Sequence, residues 1–251
     1  MIPAFLEQFK TQIEKYKPDT GRIFATPLRN GETLSLKQSK FPGQPYLPVD
    51  IVYPKSKDGT HMIMLAQINF AETPELENYP TQGILQLFVS PQEWYDMKDY
   101  QILFHEDTEK KYQTIFSFLT TDLYEESPIY CEHKLAFKKE TQYGGREDFR
   151  FQMDFNGKDY FDFQETLPKH QQEEMDNLFY IIGHKIGGYE YFTQSDPRNY
   201  NENSKNDVLL FQIDTDDGIM FGDCGVANVF ININDLKNKK FDKVYFNWDC
   251  C

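Results

Sequence analysis

Apolar residues recur at helical spacing at the start of the chain: Ile2, Phe5, Leu6, Phe9 and Ile13. Charged and amide residues separate them, so the pattern predicts an amphipathic helix over about residues 2–16. A second helix is predicted near residues 171–182, because its apolar residues fall on one face and Gly183 follows it. These two segments are the helical part of the expected fold.

Short apolar runs bounded by turn residues predict strands elsewhere: residues 62–70, 84–89, 102–104, 209–213 and 226–233. In segment 149–155, apolar and polar residues alternate, and Asn156-Gly157 follows. This pattern predicts a hairpin that runs through residue 163. With two helices and this many strands, we expect an α+β, β-rich fold.

Parts of the chain resemble each other at a constant offset. Five residues recur 145 positions later (212 − 67): Gly43, Tyr46, Leu65, Gln67 and Ile68 recur as Gly188, Tyr191, Leu210, Gln212 and Ile213. The offset then drops to 142 (225 − 83), as a shortened loop would produce: Gly83, Phe88, Phe104 and Asp107 recur as Gly225, Phe230, Phe246 and Asp249. Two β-rich segments can align by chance, but periodicity alone does not select matching glycines and glutamines.

We therefore predict two diverged copies of one β-rich unit, residues 38–107 and 183–249, packed as a pseudo-symmetric pair. Residues 108–182 would form a bridging segment between them, and residues 1–251 a single compact domain. Gln67 and Gln212 occupy equivalent positions in the two copies. We expect each to be a buried side chain that bonds neighbouring backbone rather than a catalytic group.

Composition and charge exclude several classes of binding partner. The chain has 251 residues, of which 39% are hydrophobic, and 40 acidic against 26 basic residues give a formal net charge of −14. This charge repels phosphate backbones and anionic lipids, so neither nucleic acid nor a membrane is an expected partner, whereas a basic protein is compatible. No run of residues has the pattern of a membrane span or a signal peptide, and we expect a cytoplasmic location. Phosphate loops, dinucleotide fingerprints and zinc spacings are absent from the sequence, so no cofactor is expected.

Several motifs of the chain resemble the YwqG-like family. They include 187–198 (GGYEYFTQSDPR), 209–214 (LLFQID), 222–225 (GDCG) and 247–251 (NWDCC) in the second copy, and 65–70 (LAQINF) and 80–88 (PTQGILQLF) in the first. The resemblance covers about residues 38–251. Three positions depart from the family pattern: Pro42 in place of glycine, Glu190 in place of proline and Phe221 in place of tryptophan.

The resemblance implies a bacterial domain of unknown function, with no established catalytic residues to carry over. Some relatives look like immunity or accessory proteins encoded near secreted toxins, which is an association at the level of the family.

Candidate binding residues cluster in the second copy. Asp214, Asp216 and Asp223 are candidate ligands of a hard cation, although an acidic turn capped by its own side chains explains the same residues. The guanidinium of Arg198 could hold a carboxylate in a cleft, or it could form an internal salt bridge. The full set of ligand-binding candidates is Gln194, Asp196, Arg198, Asp214, Asp223, Trp248 and Asp249.

Two functions remain compatible with these observations. The first is an acidic binding protein, such as an immunity or accessory protein whose charge steers it to a basic toxin. The second is a small-molecule-dependent or metal-dependent enzyme with its site in the cleft between the two copies.

Overall fold

Ten strands pair into one antiparallel sheet in the computed structural model, which describes residues 2–251. The strands are β1 (Asp19–Pro27), β2 (Lys40–Phe41), β3 (Ile63–Asn69), β4 (Ile84–Val89), β5 (Tyr100–His105), β6 (His133–Thr141), β7 (Lys185–Ile186), β8 (Asp207–Ile213), β9 (Val226–Asn232) and β10 (Tyr245–Asp249). Their order across the sheet is β10-β9-β8-β7-β1-β6-β2-β3-β4-β5. The predicted α+β, β-rich class is confirmed.

Strands β1 and β6 form the centre of the sheet. Nine residue pairs join them, from Asp19 opposite Thr141 to Pro27 opposite His133. The outer edge of β6 pairs with β2, and the outer edge of β1 pairs with β7. The centre therefore separates a first strand group, β2–β5, from a second strand group, β7–β10.

The two ends of the sheet approach each other, so the sheet is nearly closed. The Tyr100 hydroxyl of β5 donates a hydrogen bond of 3.0 Å to the Val244 carbonyl just before β10. The rings of Phe104 and Phe241 pack beside this contact with 4.4 Å between their centroids. A continuous apolar core of aliphatic and aromatic side chains from both strand groups fills the interior.

Matching contacts recur in the two strand groups. In β3 a register irregularity lies between Met64 and Ala66, and in β8 one lies between Leu209 and Phe211. The side chain of Gln67 accepts from the Tyr46 amide at 2.8 Å and donates to the Leu36 and Gln38 carbonyls.

Gln212 repeats this set of bonds. It accepts from the Tyr191 amide at 2.8 Å and donates to the Gly183 carbonyl. Both glutamines are fully buried, so the predicted structural role of the pair is confirmed.

Both predicted helices are present, with different bounds and geometry. The first is a 3-10 helix (Ala4–Phe9), one α-helical turn, α1 (Lys10–Ile13), and a second 3-10 segment (Glu14–Tyr16). The second is α3 (Lys169–Leu178), which ends four residues earlier than expected. A short helix, α4 (Ile233–Lys237), follows β9.

The predicted hairpin over residues 149–163 is wrong. Residues 151–154 form no ladder, and residues 160–165 form a helix, α2 (Tyr160–Glu165), whose first turn is capped by the Asp159 carboxylate. The aromatic residues of this segment pack locally instead. Phe155 and Phe163 both contact Phe9 of the N-terminal helix, at 5.0 and 5.4 Å between ring centroids. Burial against that helix replaces strand pairing.

No helix within residues 2–251 has both the length and the apolar character needed to cross a membrane.

A basic cavity beside the central strands

A cavity of about 620 Å³ lies where β1 and β7 pair, beneath the N-terminal segment and α3. Its polar wall includes Thr20 and Arg22 of β1, Gln142 after β6 and Lys185 of β7. Thr20, Gln142 and Lys185 are buried. The cavity therefore sits at the junction between the central strands and the second strand group.

Two basic side chains face each other across the β1–β7 pair. Arg22 and Lys185 are direct partners in the register, which places their side chains on the same face of the sheet. The Arg22 guanidinium donates to the Ile182 carbonyl, and the Lys185 ammonium nitrogen donates to the Ile181 carbonyl. Neither forms an ion pair with a carboxylate of the described residues. Like charges directly opposite each other destabilise a sheet unless something offsets them.

The lowered pKa of Lys185 reduces this conflict, because it favours the neutral amine. Burial lowers the pKa of Lys185 well below its ordinary value; Asp214 opposes this effect, and the Arg22 guanidinium adds to it. Glu147 also opposes the effect, but burial outweighs both carboxylates. Two carboxylates, Glu140 and Glu174, also line the cavity. Glu140 forms an ion pair with Lys138 at 2.9 Å, and Glu174 is exposed.

The glycine pair Gly187-Gly188 follows β7 and contacts two residues of the cavity wall, Thr20 and Gln142. Both glycines have positive φ, at 64° and 79°, a backbone conformation that suits glycine. The Gln142 side chain packs onto Gly188 and accepts a hydrogen bond of 2.7 Å from the Tyr189 amide. Thr20 contacts the Ile186 and Gly187 carbonyls. These bonds join the segment after β7 to Thr20 and Gln142 of the cavity wall.

The first strand group carries an equivalent lysine in a different setting. Lys40 is the register partner of Lys134 across the β2–β6 pair, as Lys185 is of Arg22. Its amine donates to the Ser35 carbonyl at 2.7 Å and the Gln44 carbonyl at 3.1 Å. Burial lowers the pKa of Lys40 to about 8, against the opposing effect of Glu132. Glu32 lies 3.9 Å from the Lys134 amine, and both Glu32 and Glu132 line the adjoining cavity of about 390 Å³. Carboxylates therefore offset the basic pair of this group.

Comparison with known protein families assigns the chain to a family. A family model described as Domain of unknown function (DUF1963) matches residues 39–250. The chain belongs to the DUF1963 family. No curated protein matches it. The matched segment holds both strand groups and Lys185, whereas Thr20 and Arg22 precede it. The basic cavity of this DUF1963 protein is thus built partly from a strand outside the family match.

Arg198, the first of the sequence-derived candidates, forms an internal salt bridge. It is fully buried and binds Asp196 through two nitrogens, at 2.9 and 2.8 Å. It also contacts Asp148 at 3.1 Å and Glu190. Burial lowers the pKa of Arg198 to about 10, so the guanidinium stays charged at neutral pH. Of the two alternatives left by the sequence, the structure favours the internal ion pair.

The buried ion cluster of this DUF1963 protein has three carboxylates and two guanidinium groups. One oxygen each of Asp148, Glu190 and Asp196 lies within 4.8 Å of the others, an arrangement that could hold a metal ion. The Arg198 guanidinium contacts all three, and Arg150 adds a second positive charge. A guanidinium therefore serves as the counter-ion here. Burial raises the pKa of Asp196 to about 6, as expected where carboxylates outnumber cations.

The structure does not bring together the three predicted metal ligands. Asp214 is buried and accepts from the Gly183 and Thr215 amides. Asp216 is exposed, contacts His184 at 3.3 Å and accepts from the Asp217 amide, while Asp223 is exposed. In the described part of the chain, these three carboxylates form no common ligand set. Their bonds fit the alternative of an acidic turn capped by its own side chains.

The remaining candidates lie together at the β10 end of the sheet. The Gln194 amide donates to the Asp249 carboxylate at 2.7 Å, and its side chain donates to the Cys250 carbonyl. The Trp248 indole donates to the Tyr95 carbonyl at 3.0 Å and packs against Trp94. None of them lines the basic cavity.

Sequence reasoning missed Arg22 and Lys185. A signal for Lys185 was present, because Lys40 and Lys185 match at the same 145-residue offset (185 − 40) as Gln67 and Gln212. Arg22 has no such signal, since it becomes part of the site only through the pairing of β1 with β7.

Proposed function

We propose that this protein binds a small molecule with an anionic group in the cavity between β1, β7 and α3. The observation that carries the proposal is the Arg22 guanidinium, which lines the cavity, faces Lys185 and has no carboxylate partner among residues 2–251. An anion bound there would accept from the unused nitrogens of the guanidinium and offset the basic pair.

The size and lining of the cavity support this proposal. A volume of about 620 Å³ falls within the range of small-molecule sites, roughly 300–1,000 Å³. Buried polar groups from three segments, Thr20, Gln142 and Lys185, converge on it. A few fixed polar groups in a partly apolar cleft are typical of a site that orients a ligand.

A comparison of melting temperatures tests the proposal. The probes are inorganic phosphate, acetate, succinate and pyruvate, each titrated at constant ionic strength. We expect at least one to raise the melting temperature by roughly 5–10 °C at a hundredfold excess over its Kd. Arg22→Gln should lose this rise. Lys40→Met is the matched control, because it alters the equivalent lysine of the first strand group, and it should keep the rise. A rise that persists in Arg22→Gln, or no rise with any probe, would contradict the proposal.

A basic protein partner remains a second proposal, supported by the net charge of −14, which raises the association rate with cations. In this view the protein is an immunity or accessory protein of a basic toxin in the cytoplasm, as the YwqG-like resemblance suggests. A complex with a candidate toxin that weakens steeply with salt would support it. Protection from that toxin that does not depend on salt would count against charge steering.

We also propose that the two strand groups are diverged copies of one unit. Their order in the sheet, the matching register irregularities and the bonds of Gln67 and Gln212 support this origin.

A further inference from the structure

We propose that Lys185 forms a Schiff base with the carbonyl carbon of a 2-oxo acid held by Arg22. The inference rests on the proposed function, since it uses the same cavity, and it adds a substrate class and a covalent step.

The geometry around Lys185 supports this step. The side chain is 1% exposed and lies in the cavity wall, and its nitrogen donates to a single acceptor in the described chain, the Ile181 carbonyl. The hydrogen-bonding capacity of the amine is therefore not exhausted. Buried lysines that line a cavity without a carboxylate partner are the form in which an amine acts as a nucleophile.

The position of Arg22 selects the substrate class. Arg22 and Lys185 are directly opposite in the register, and their head groups donate to the neighbouring carbonyls of Ile182 and Ile181. A group held by Arg22 therefore lies beside the Lys185 amine. A 2-oxo acid has its carboxylate bonded directly to its carbonyl carbon. With the carboxylate on the guanidinium, the carbonyl carbon is presented to the neighbouring amine.

The lowered pKa of the Lys185 amine agrees with a role as nucleophile. Burial lowers the pKa of Lys185 well below its ordinary value, which favours the neutral amine that can attack a carbonyl. The nitrogen lone pair forms a C–N bond while the carbonyl π electrons move to oxygen. The oxygen then leaves as water with both amine hydrogens, and a C=N bond remains. No oxidant or reductant takes part.

Lys40 provides the internal comparison. It is also buried and its pKa is also lowered, but its amine donates to two carbonyls, and Glu32 and Glu132 line its cavity. Its register partner is Lys134, which lies 3.9 Å from Glu32, so this group has no guanidinium to hold the carboxylate of a 2-oxo acid. We therefore expect Lys40 to remain unmodified where Lys185 reacts.

Reductive trapping tests the inference on the full chain. The protein is incubated with pyruvate and then with sodium borohydride, and the adduct is measured by intact mass and located by peptide mapping. We expect one adduct per chain, on Lys185. Lys185→Arg should abolish it and Lys40→Arg should keep it. Arg22→Gln should slow its formation by about tenfold or more, whereas trapping with propanone, which has no carboxylate, should be weak in every variant.

The outcomes separate the two proposals. If pyruvate or another anion raises the melting temperature through Arg22 but no adduct forms on Lys185, the Schiff base is wrong and the binding function stands. Adducts spread over exposed lysines at the level of Lys185 would also overturn the Schiff base. If there is neither an adduct nor an anion-dependent rise in melting temperature, both proposals fail.

Discussion

The two strand groups place a buried lysine at the same point and surround it differently. In the first group, Lys40 faces Lys134 while Glu32 and Glu132 lie close by. In the second group, Lys185 faces Arg22, and backbone carbonyls are the acceptors of both side chains. The same pairing of strands thus gives one site with a carboxylate beside a basic side chain and one where neither basic side chain has an ion-pair partner among residues 2–251.

A second contrast lies at Phe88 and Phe230, which match at the 142-residue offset (230 − 88). In the first group, the Tyr53 ring packs on Phe88, with 5.6 Å between centroids, in an apolar cluster. In the second group, Arg198 lies 4.8 Å above the ring of Phe230 and is surrounded by carboxylates. Tyr53 and Arg198 match at the 145-residue offset (198 − 53). The second group therefore depends on charge where the first depends on apolar packing.

The largest expected effect is on the free energy of unfolding, and it concerns the contrast between Arg198 and Tyr53. Arg198→Met should lower the free energy of unfolding by about 3–5 kcal/mol, because it removes the salt-bridge partner of Asp196 and leaves Arg150 as the one cation for Asp148 and Glu190 among residues 2–251. Tyr53→Phe at the matching position should cost only about 1 kcal/mol, since it removes one hydrogen bond, from the Tyr53 hydroxyl to the Met62 carbonyl. Denaturant titration measures both. Equal losses would show that the ion cluster is not a special feature of the second group.

Substitutions of Gln67 and Gln212 test whether these residues have the same structural role in the two strand groups. Gln67→Leu and Gln212→Leu each leave a buried amide and buried carbonyls without partners. Each substitution should lower the free energy of unfolding by about 2–3 kcal/mol. A loss confined to one of the two variants would contradict an equivalent structural role.

The acidity of Asp196 gives a smaller, pH-dependent effect. Its pKa is raised by burial from 3.8 to about 6, so the folded state holds the proton more tightly than the unfolded state. The stability contributed by the protonated form is complete below pH 3.8 and is lost as pH rises through about 6. Wild type should lose stability relative to Asp196→Asn over that interval. A flat difference between the two proteins would contradict the raised pKa.

The last expected effect concerns Lys40 and is confined to alkaline pH. Its pKa is lowered from 10.5 to about 8, so the folded state releases the proton more readily. Stability relative to Lys40→Met should therefore rise between about pH 8 and 10.5. The pKa of Lys185 is lowered further, so the corresponding rise relative to Lys185→Met should begin at a lower pH. Identical pH profiles would mean that the two lysines have equivalent surroundings.

Except for β2, β7 and β10, the sequence predicts the strands of both groups, because each contains a short apolar run between turns. It does not predict β1 and β6, whose polar and apolar residues are mixed and whose side chains are partly exposed. Arg22 lies on β1, so the basic cavity could not be anticipated. The ion cluster combines Asp148 of the bridging segment with Glu190 and Arg198 of the second group, and no local pattern links residues so far apart in the chain.

Isothermal titration with the anion that raises the melting temperature most tests the central claim most directly. We predict one site per chain in wild type, the same affinity in Lys40→Met, and an affinity at least about tenfold weaker in Arg22→Gln, since that variant loses a charge-assisted contact. Unchanged affinity in Arg22→Gln, or a loss of affinity in Lys40→Met alone, would contradict the assignment of the anion site to the second strand group.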